Sequence, residues 1–334
     1  MSELTESPAR QVLSRRRART VTGRLVRNLL GFHWPLTLFA VLMVVGAAAS
    51  LLGLGLDHRV LAGDPIWAKP LKFNLSLAVY SITLALFIGL MPRGRLRRAA
   101  WWAGTVGAVS SLLEITIITV QVVRGTSSHF NISTAFDRTM YLLMGAGVVF
   151  LYTATLVVAV LIQFSPAVRD RSLRLAIRVG VAISLGGLSV GFLMVLPTSA
   201  QLASSHPTAI GSHSVGGDDP TGGLPLVGWN SLHGDLRVAH FVGMHAMQAV
   251  PVVAILLSVF AGRRLNLATR VRLVMLFSAL YAAVFALSLW QALRGQSIAR
   301  PDGVTFFVAA VLIVAIVGCF AVIQRRGSVR EQRS

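Results

Sequence analysis

Residues 303–323 read GVTFFVAAVLIVAIVGCFAVI, an apolar run without a charged side chain. An α-helix needs about 20 such residues to cross the hydrocarbon core of a bilayer. Seven earlier stretches have a similar length and composition, and we expect each to span the membrane: 35–56, 72–91, 99–123, 138–163, 173–198, 236–260 and 270–293. The sequence therefore predicts an all-α, polytopic integral membrane protein with eight transmembrane helices.

The charged residues are distributed unevenly between the two sides of these spans. The N-terminal arm, the C-terminal tail and the segments after the second, fourth and sixth spans hold 23 of the 31 basic residues and 4 of the 12 acids. An excess of Lys and Arg marks cytoplasmic segments. We therefore expect both termini in the cytoplasm of a bacterium, with the protein in the cytoplasmic membrane. The preference for Arg over Lys, 29 to 2, fits a GC-rich bacterial genome.

The predicted spans divide the chain into two membrane halves. Residues 1–34 form a basic cytoplasmic arm, 35–163 the first four-helix half, 173–323 the second half and 324–334 a cytoplasmic tail. The longest outer connection, 199–234, is rich in Gly, Ser, Pro and His, which predicts a flexible loop.

A pair of similar motifs predicts that the two halves are a tandem repeat. Gln-x-x-Arg-Gly-x-Ser occurs at 121–127 and again at 291–297, an offset of 170, and Gly-Asp occurs at 63–64 and 234–235, an offset of 171. Both pairs occupy the same topological position, as a four-plus-four duplication requires. Helix capping is the alternative, because Gly ends helices and Asp starts them. Capping does not account for the paired Gln and Ser residues.

Glu114 is the strongest indication of function in a single residue. It lies near the middle of the third span, where an ionised side chain is costly and polar groups usually face an interior or a cavity. Ser110, Ser111, Gln121 and Arg124 follow the same helix face toward the outer side. The alternative is a protonated Glu that makes an interhelical hydrogen bond.

The second span carries a comparable polar face. Lys69, Lys72, Ser76, Tyr80 and Thr83 are spaced 3, 4, 4 and 3 residues apart, so they share one side of a helix. Two lysines on the outer side run against the charge bias and suggest a ligand site. Snorkelling toward outer headgroups is an equally good explanation for both.

The histidines offer a second kind of site. His240 and His245 lie on the sixth span, five residues apart, so one straight helix cannot easily direct both toward one ion. His129 lies in the outer loop that precedes the fourth span. These three residues, with Asp137 or Asp235, are candidate ligands for a divalent metal or haem. A hydrogen-bonded packing role is the alternative for each.

Composition excludes several other classes of function. The basic residues flank apolar spans, so they indicate topology and contact with membrane lipids, and not nucleic-acid binding. One cysteine permits neither a disulfide framework nor a thiolate metal cluster. The chain has no Gly-x-Ser-x-Gly elbow and no phosphate-binding loop.

Together these residues predict an outward-facing polar cavity. Cationic side chains in a low-dielectric cavity suit an anionic group. We therefore expect a transporter or binding protein for a small anionic or lipid-like ligand, with a metal- or haem-dependent membrane enzyme as the alternative. The candidate ligand-binding residues are Lys69, Lys72, Glu114, Gln121, Arg124, Asp235, Arg237, Gln291 and Arg294.

Three phrases resemble those of an uncharacterised family of bacterial multi-pass membrane proteins. They are DPIWAKPLKF at 64–73, RGTSSHFN at 124–131 and GDLRVAHF at 234–241. The resemblance implies a multi-pass membrane fold and no particular activity. In architecture alone, eight spans in two halves are similar to haem A synthase, a resemblance that implies His ligands on even-numbered spans. Here the sixth span alone among the even-numbered spans carries His, and Lys69 falls where His240 would repeat.

Overall fold

The computed structural model describes residues 8–165, 168–219, 223–225, 227–262 and 265–331, with side chains from residue 28 to 323. The predicted arm 1–34 and tail 324–334 therefore lie largely outside the described side chains. The described chain forms ten helices: α1 Pro8–Leu56, α2 Ala68–Leu90, α3 Arg95–Arg124, α4 Ala135–Gln163, α5 Arg171–Met194, α6 Ser199–Ala203, α7 Leu236–Met244, α8 Ala246–Ala261, α9 Leu267–Leu293 and α10 Gly303–Glu331.

Most of these helices have the length and composition of membrane spans. Seven of the described helices are long and apolar enough to cross a bilayer by themselves, and α7 with α8 makes an eighth if the two count as one span bent by 43°. The prediction of an all-helical fold is confirmed, and its long apolar helices are consistent with a multi-pass membrane protein. The exact number of eight spans stays a prediction.

His33 sets the start of the first span. The backbone leaves helical geometry at His33 (φ −160°, ψ 93°), two residues before Pro35. The buried imidazole accepts a hydrogen bond at Nδ1 from the Leu36 amide (3.1 Å), so its Nε2–H donates to the Trp101 carbonyl (2.7 Å). These two bonds fix the break in α1 against the start of α3.

One hydrophobic core joins the two predicted halves. It is built on α1 to α4 and continues through Val181 of α5 and Met247 of α8. By contrast α10 packs on α9, and none of its most apolar window is buried within the described protein. The groove between α9 and α10, with a volume of ≈ 300 Å³, is lined by apolar side chains such as Phe277 and Phe320.

The break between α7 and α8 is built on a close helix contact. A Cβ added to Gly187 of α5 would lie 2.3 Å from the Met244 amide nitrogen, so small residues are needed where the backbones meet. At the break the backbone N–H of Gln248 donates to the His245 carbonyl and not to the Met244 carbonyl. The Ser184 hydroxyl donates to the Met244 carbonyl instead (2.7 Å), which satisfies this oxygen inside the bundle.

The non-helical segments gather at the end of the bundle opposite the chain termini, which we call the cap end. A hairpin pairs β1 Val60–Leu61 with β2 Asp64–Pro65, and a second sheet pairs β3 Ser214–Val215 with β4 Gly234–Asp235. We call residues 195–235 the cap.

The described part of the cap contains helix α6 and strands β3 and β4, which the sequence did not predict. Its backbone pairs with the α3–α4 loop through the bridge between Asn131 and Ala209, the Ile132 backbone N–H to the Thr208 carbonyl and the Ile210 backbone N–H to the Phe130 carbonyl (both 2.9 Å). Composition does not register backbone pairing between segments distant in the chain, and the flexibility of the loop at 199–234 stays a prediction.

A matched pair of glycine substitutions tests the contact between α5 and α7. Gly187→Ala should destabilise the protein by about 1–3 kcal/mol or more, because the new methyl group meets backbone. Gly145→Ala, inside α4 with open space around it, should leave stability unchanged or raise it by up to about 1 kcal/mol. Thermal unfolding followed by size-exclusion fluorescence measures both. Equal effects of the two substitutions would contradict this packing.

Candidate functional site

Six polar side chains from five segments are connected by pairwise electrostatic interactions at the cap end. Lys69 interacts with Glu114 and Arg237, and His129 interacts with Lys69 and His213. His213 also interacts with Arg237, and His240 interacts with His213. We call this set the cap-end cluster: Lys69, Glu114, His129, His213, Arg237 and His240.

Lys69 supplies a cation without a protein partner. It lies half-buried in the first turn of α2, directly after the β1–β2 hairpin. Its ammonium makes no hydrogen bond or ion pair with any residue that the structure describes, although Glu114 is close enough to interact electrostatically. Lys72, three residues on, donates to the Val227 carbonyl of the cap (3.0 Å).

Glu114 supplies the acid of the cluster. Its side chain is 4% exposed, and Oε1 has no hydrogen-bond partner among the described residues. A Cβ on Gly147 of α4 would lie 3.1 Å from Oε1, so the glycine leaves room beside the carboxyl. Glu114 and Lys69, both predicted as ligand residues, interact electrostatically, and their part in ligand binding stays a prediction.

Further unpartnered polar atoms continue the cluster toward the middle of the bundle. Ser111 lies one turn before Glu114, and its hydroxyl is buried without a described partner, as is that of Ser76 on α2. The Tyr80 hydroxyl of α2 lies 3.6 Å from where a Cβ of Gly107 of α3 would stand, so α2 and α3 pack closely in this region. Buried polar groups normally have partners, so this row is a place where water or a ligand is needed.

Four other acids at the cap end are paired with arginines in the described structure: Asp57 with Arg59, Asp137 with Arg124, Asp235 with Arg237, and Asp302 with Arg294. Asp219 contacts the His213 imidazole (3.3 Å), Asp64 interacts electrostatically with Lys72, and Asp218 is exposed. Glu114 is the carboxyl that interacts electrostatically with Lys69, and the two make no direct ion pair.

The two loop histidines of the cluster are held neutral. Burial lowers the pKa of His129 well below its ordinary value, and the charge of Lys69 lowers it further. Burial likewise lowers the pKa of His213. Both rings pack against aromatic side chains, with centroid distances of 5.7 Å from His129 to Phe73 and 4.8 Å from His213 to Phe130.

Each imidazole of the cluster contacts a polar protein atom through Nδ1 and has no described hydrogen-bond partner at Nε2. Nδ1 lies 3.1 Å from the Ser128 hydroxyl in His129, 3.3 Å from Asp219 Oδ2 in His213 and 2.8 Å from the Gly187 carbonyl in His240. None of the three Nε2 atoms makes a hydrogen bond with a described residue. The cluster therefore contains three ring nitrogens without described partners, one ammonium and one carboxyl.

The structure does not assemble the predicted metal ligands His129, His240 and His245 into one site. His245 lies at the break between α7 and α8, where it interacts with His240 and Gln248. Among the described residues, no three His, Cys, Asp or Glu side chains are grouped so as to hold a metal ion. The identity of any cofactor stays a prediction.

Four predicted ligand residues lie outside the cluster, at the ends of α3 and α9. Arg124 bonds Gln121 and Asp137, and Arg294 bonds Asp302 (2.5 Å). The side-chain Nε2 of Gln291 donates to the Ser297 carbonyl (2.9 Å). These side chains secure helix ends in the described structure.

The repeated motif ends both helices with the same backbone turn. Gly125 and Gly295 are left-handed (φ 72° and 73°), and the residue after each glycine donates to the carbonyl of Gln121 or Gln291. The side chains of the two Gln residues nevertheless have different partners, Asp137 and the Ser297 carbonyl. Capping explains the shared turn, so the tandem duplication stays a prediction.

Asp235 and Arg237 anchor the cap to α7. Asp235 is 1% exposed and accepts hydrogen bonds from the Asn230 amide (2.7 Å) and from the Arg237 guanidinium (2.6 Å to Nη2). Arg237 Nη2 also donates to the Gly228 carbonyl (2.7 Å). Both residues were predicted as ligand residues. In the structure the Asp235 carboxylate bonds the cap and Arg237, so it acts as an anchor. Arg237 Nη1 has no partner among the described residues.

Sequence reasoning missed His213 and Asp219. Both were placed in the flexible loop and set aside. In the structure Asp219 accepts bonds from the Ser214 hydroxyl (2.6 Å) and the His213 amide (3.2 Å). Burial alone would raise the pKa of Asp219, but bonding to His213 and Ser214 holds it below its ordinary value. The cluster of Ser, His and Asp at 212–219 was the available signal, and it is a weak one.

No family model, no curated protein and no solved structure matches this chain. The function therefore has to be argued from the site.

Paired arginine substitutions test the cap anchor. Arg237→Gln should destabilise the ligand-free protein by about 3–5 kcal/mol, because Asp235 is left as a buried charge without its partner. Arg294→Gln breaks the exposed pair with Asp302 and should change stability little, because solvent screens an exposed ion pair. Thermal unfolding and protease cleavage within the cap measure the difference. Similar costs for both would mean that the Asp235–Arg237 pair is not the anchor.

The neutral state of His129 makes stability depend on pH. The unfolded chain takes up a proton on this residue near pH 6.5, whereas the folded protein does so only at lower pH. The unfolded state then binds more protons, so stability should fall as pH is lowered from 7.5 to 5. His129→Gln should make this fall shallower, and His206→Gln, at an exposed loop position, should leave it unchanged. An unaltered slope in His129→Gln would contradict burial of a neutral imidazole.

Proposed function

We propose that this protein is a transporter or binding protein for a small anion, either free or as the charged group of a lipid-like molecule. The ligand would occupy the cap-end cluster. The observation that carries the proposal is the half-buried Lys69 ammonium, which has no partner among the described residues. An unpaired ammonium beneath a protein cap is costly unless something compensates it.

The charges around Lys69 support an anion as the compensating group. Lys72 and Arg237 add positive charge near Lys69, while Asp235 is used by Arg237. Glu114 supplies one negative charge at most, and it makes no direct ion pair with Lys69. Asp64 lies near Lys72 and Asp219 contacts His213, so the support for an anion comes from Lys69 itself, whose ammonium has no counter-ion within ion-pair distance among the described residues.

Glu114 would couple the site to protons. Its unpartnered Oε1 faces the space beside Gly147, and the unpartnered hydroxyls of Ser111 and Ser76 continue from it into the bundle. Ionisable groups inside membrane spans commonly mark ion pathways and proton relays. In this proposal the carboxyl changes its protonation state as the anion binds beside Lys69.

The proposed setting is a bacterial cytoplasmic membrane with both chain ends in the cytoplasm. The charge bias of the connecting segments supports this orientation, and the α7–α8 pair supplies the eighth span. The cap and the cluster would then face the cell exterior. A four-plus-four tandem repeat is part of the same proposal and is supported by the two Gln-x-x-Arg-Gly-x-Ser motifs.

A metal- or haem-dependent membrane enzyme is the second candidate. Its support is the Nδ1 bonding of His213 to a carboxylate and of His240 to a carbonyl, because metal-bound imidazoles are commonly held in this way. An absorption spectrum and elemental analysis of the purified protein separate the two. A Soret band or near-stoichiometric zinc, copper or iron would overturn the anion proposal.

Lys69→Gln tests the anion proposal. The variant should lose at least about tenfold in affinity for phosphate or small carboxylates, because a charge-assisted bond is removed. Titration calorimetry in nanodiscs at constant ionic strength measures the affinity. Arg300→Gln removes an exposed cation from the same end of the bundle and should bind as the wild type does. Wild-type affinity in Lys69→Gln would contradict the proposal.

Glu114→Gln tests the coupling to protons. The amide keeps the shape of the side chain but cannot titrate, so binding measured from pH 5 to 8 should lose its dependence on pH. A carboxyl introduced at the far end of α4, by Gln163→Glu, would not replace the titration of Glu114. Unchanged pH dependence in Glu114→Gln would remove this carboxyl from the mechanism while leaving the Lys69 result to stand alone.

A further inference from the structure

We propose that the ligand is an anion that carries its own hydrogen-bond donors, such as a hydroxy acid or a phosphate with a protonated oxygen, because His213 and His240 present acceptor nitrogens in the cluster that contains Lys69. This inference rests on the proposed function and names the class of its ligand. It follows from which ring nitrogen of each histidine holds the proton.

His240 has one proton position open to it. Its Nδ1 lies 2.8 Å from the Gly187 carbonyl, and a carbonyl oxygen only accepts hydrogen bonds. Nδ1 therefore carries the hydrogen, and in the neutral ring Nε2 is left with a lone pair. Nε2 lies on the far edge of the ring from Gly187 and makes no bond with a described residue. His240 can thus receive a hydrogen bond from a ligand and cannot give one.

His213 also carries its ring proton on Nδ1, for a different reason. Its Nδ1 lies 3.3 Å from Oδ2 of Asp219, whose lowered pKa keeps it ionised and able only to accept. Burial keeps the His213 ring neutral, so its single proton stays on Nδ1. Nε2 of His213 is therefore a second acceptor, on the ring edge that faces away from Asp219.

His129 is not restricted in this way. Its Nδ1 contacts the Ser128 hydroxyl, which can donate or accept, so either tautomer fits. The site therefore combines one ammonium with two fixed acceptors and one adaptable ring. Chloride, sulfate or a simple carboxylate would place its own lone pairs against those of His213 and His240. An anion with a hydroxyl group would satisfy both them and Lys69.

Pairs of anions matched in shape test the inference on the wild-type protein. Lactate and isobutyrate carry the same charge and differ by a hydroxyl group in place of a methyl group. Phosphate carries at least one hydroxyl at pH 7, and sulfate carries none. In nanodiscs the donor-bearing member of each pair should bind at least about tenfold tighter, because a site built around a hydroxyl rejects its analogue.

The outcomes separate this inference from the function on which it rests. Equal or tighter binding of isobutyrate and sulfate would overturn the donor requirement and leave an anion site. Saturable binding of none of the four anions would overturn the proposed function itself.

Asp219→Asn tests the source of the preference. The amide can donate to Nδ1 of His213, which would move the ring proton to Nε2 and turn an acceptor into a donor. The lactate-to-isobutyrate affinity ratio should then fall severalfold. Asp218→Asn removes the same charge from the neighbouring exposed residue and should leave the ratio unchanged. Imidazole ¹⁵N shifts report the tautomer independently. A shifted tautomer with an unchanged ratio would overturn the role of His213.

Discussion

The buried ion pair between Asp235 and Arg237 is the interaction on which the cap end depends. Asp235 begins α7, receives the Asn230 amide and takes part in the sheet with β3. Arg237 extends the same bond network to Gly228. Because the Asp235 carboxylate bonds the start of α7 and the Asn230 loop while its backbone pairs with β3, the cap is held at a defined position above the helices. That position brings His213 to α2 and α7.

The same pair leaves Lys69 without a counter-charge. Asp57, Asp137 and Asp302 are matched to arginines, Asp219 contacts the neutral His213, and Asp64 lies near Lys72. Lys69 is left facing Glu114 across a separation too large for a direct ion pair. Buried ionic groups are stable only when they are paired or hydrogen-bonded. An anion that fills this gap would compensate the ammonium and use the three ring nitrogens around it.

Apolar length and charge bias predicted the membrane helices, and helical spacing predicted that Lys69 and Glu114 would face a common interior. The break at His245 was not predicted, because hydropathy registers the composition of a span and not the carbonyl that Ser184 satisfies from another helix. His213 was missed for a related reason. Its place in the site depends on backbone pairing of the cap with Phe130 and Leu236, which no local pattern encodes.

An experimental structure of the protein in nanodiscs, with lactate present, tests the central claim most directly. The account predicts a density feature bounded by the Lys69 ammonium, the Glu114 carboxyl and the Nε2 atoms of His213 and His240, with no protein carboxylate in direct contact with Lys69. A Lys69 side chain paired directly with a protein acid, or extended toward lipid headgroups, would contradict it.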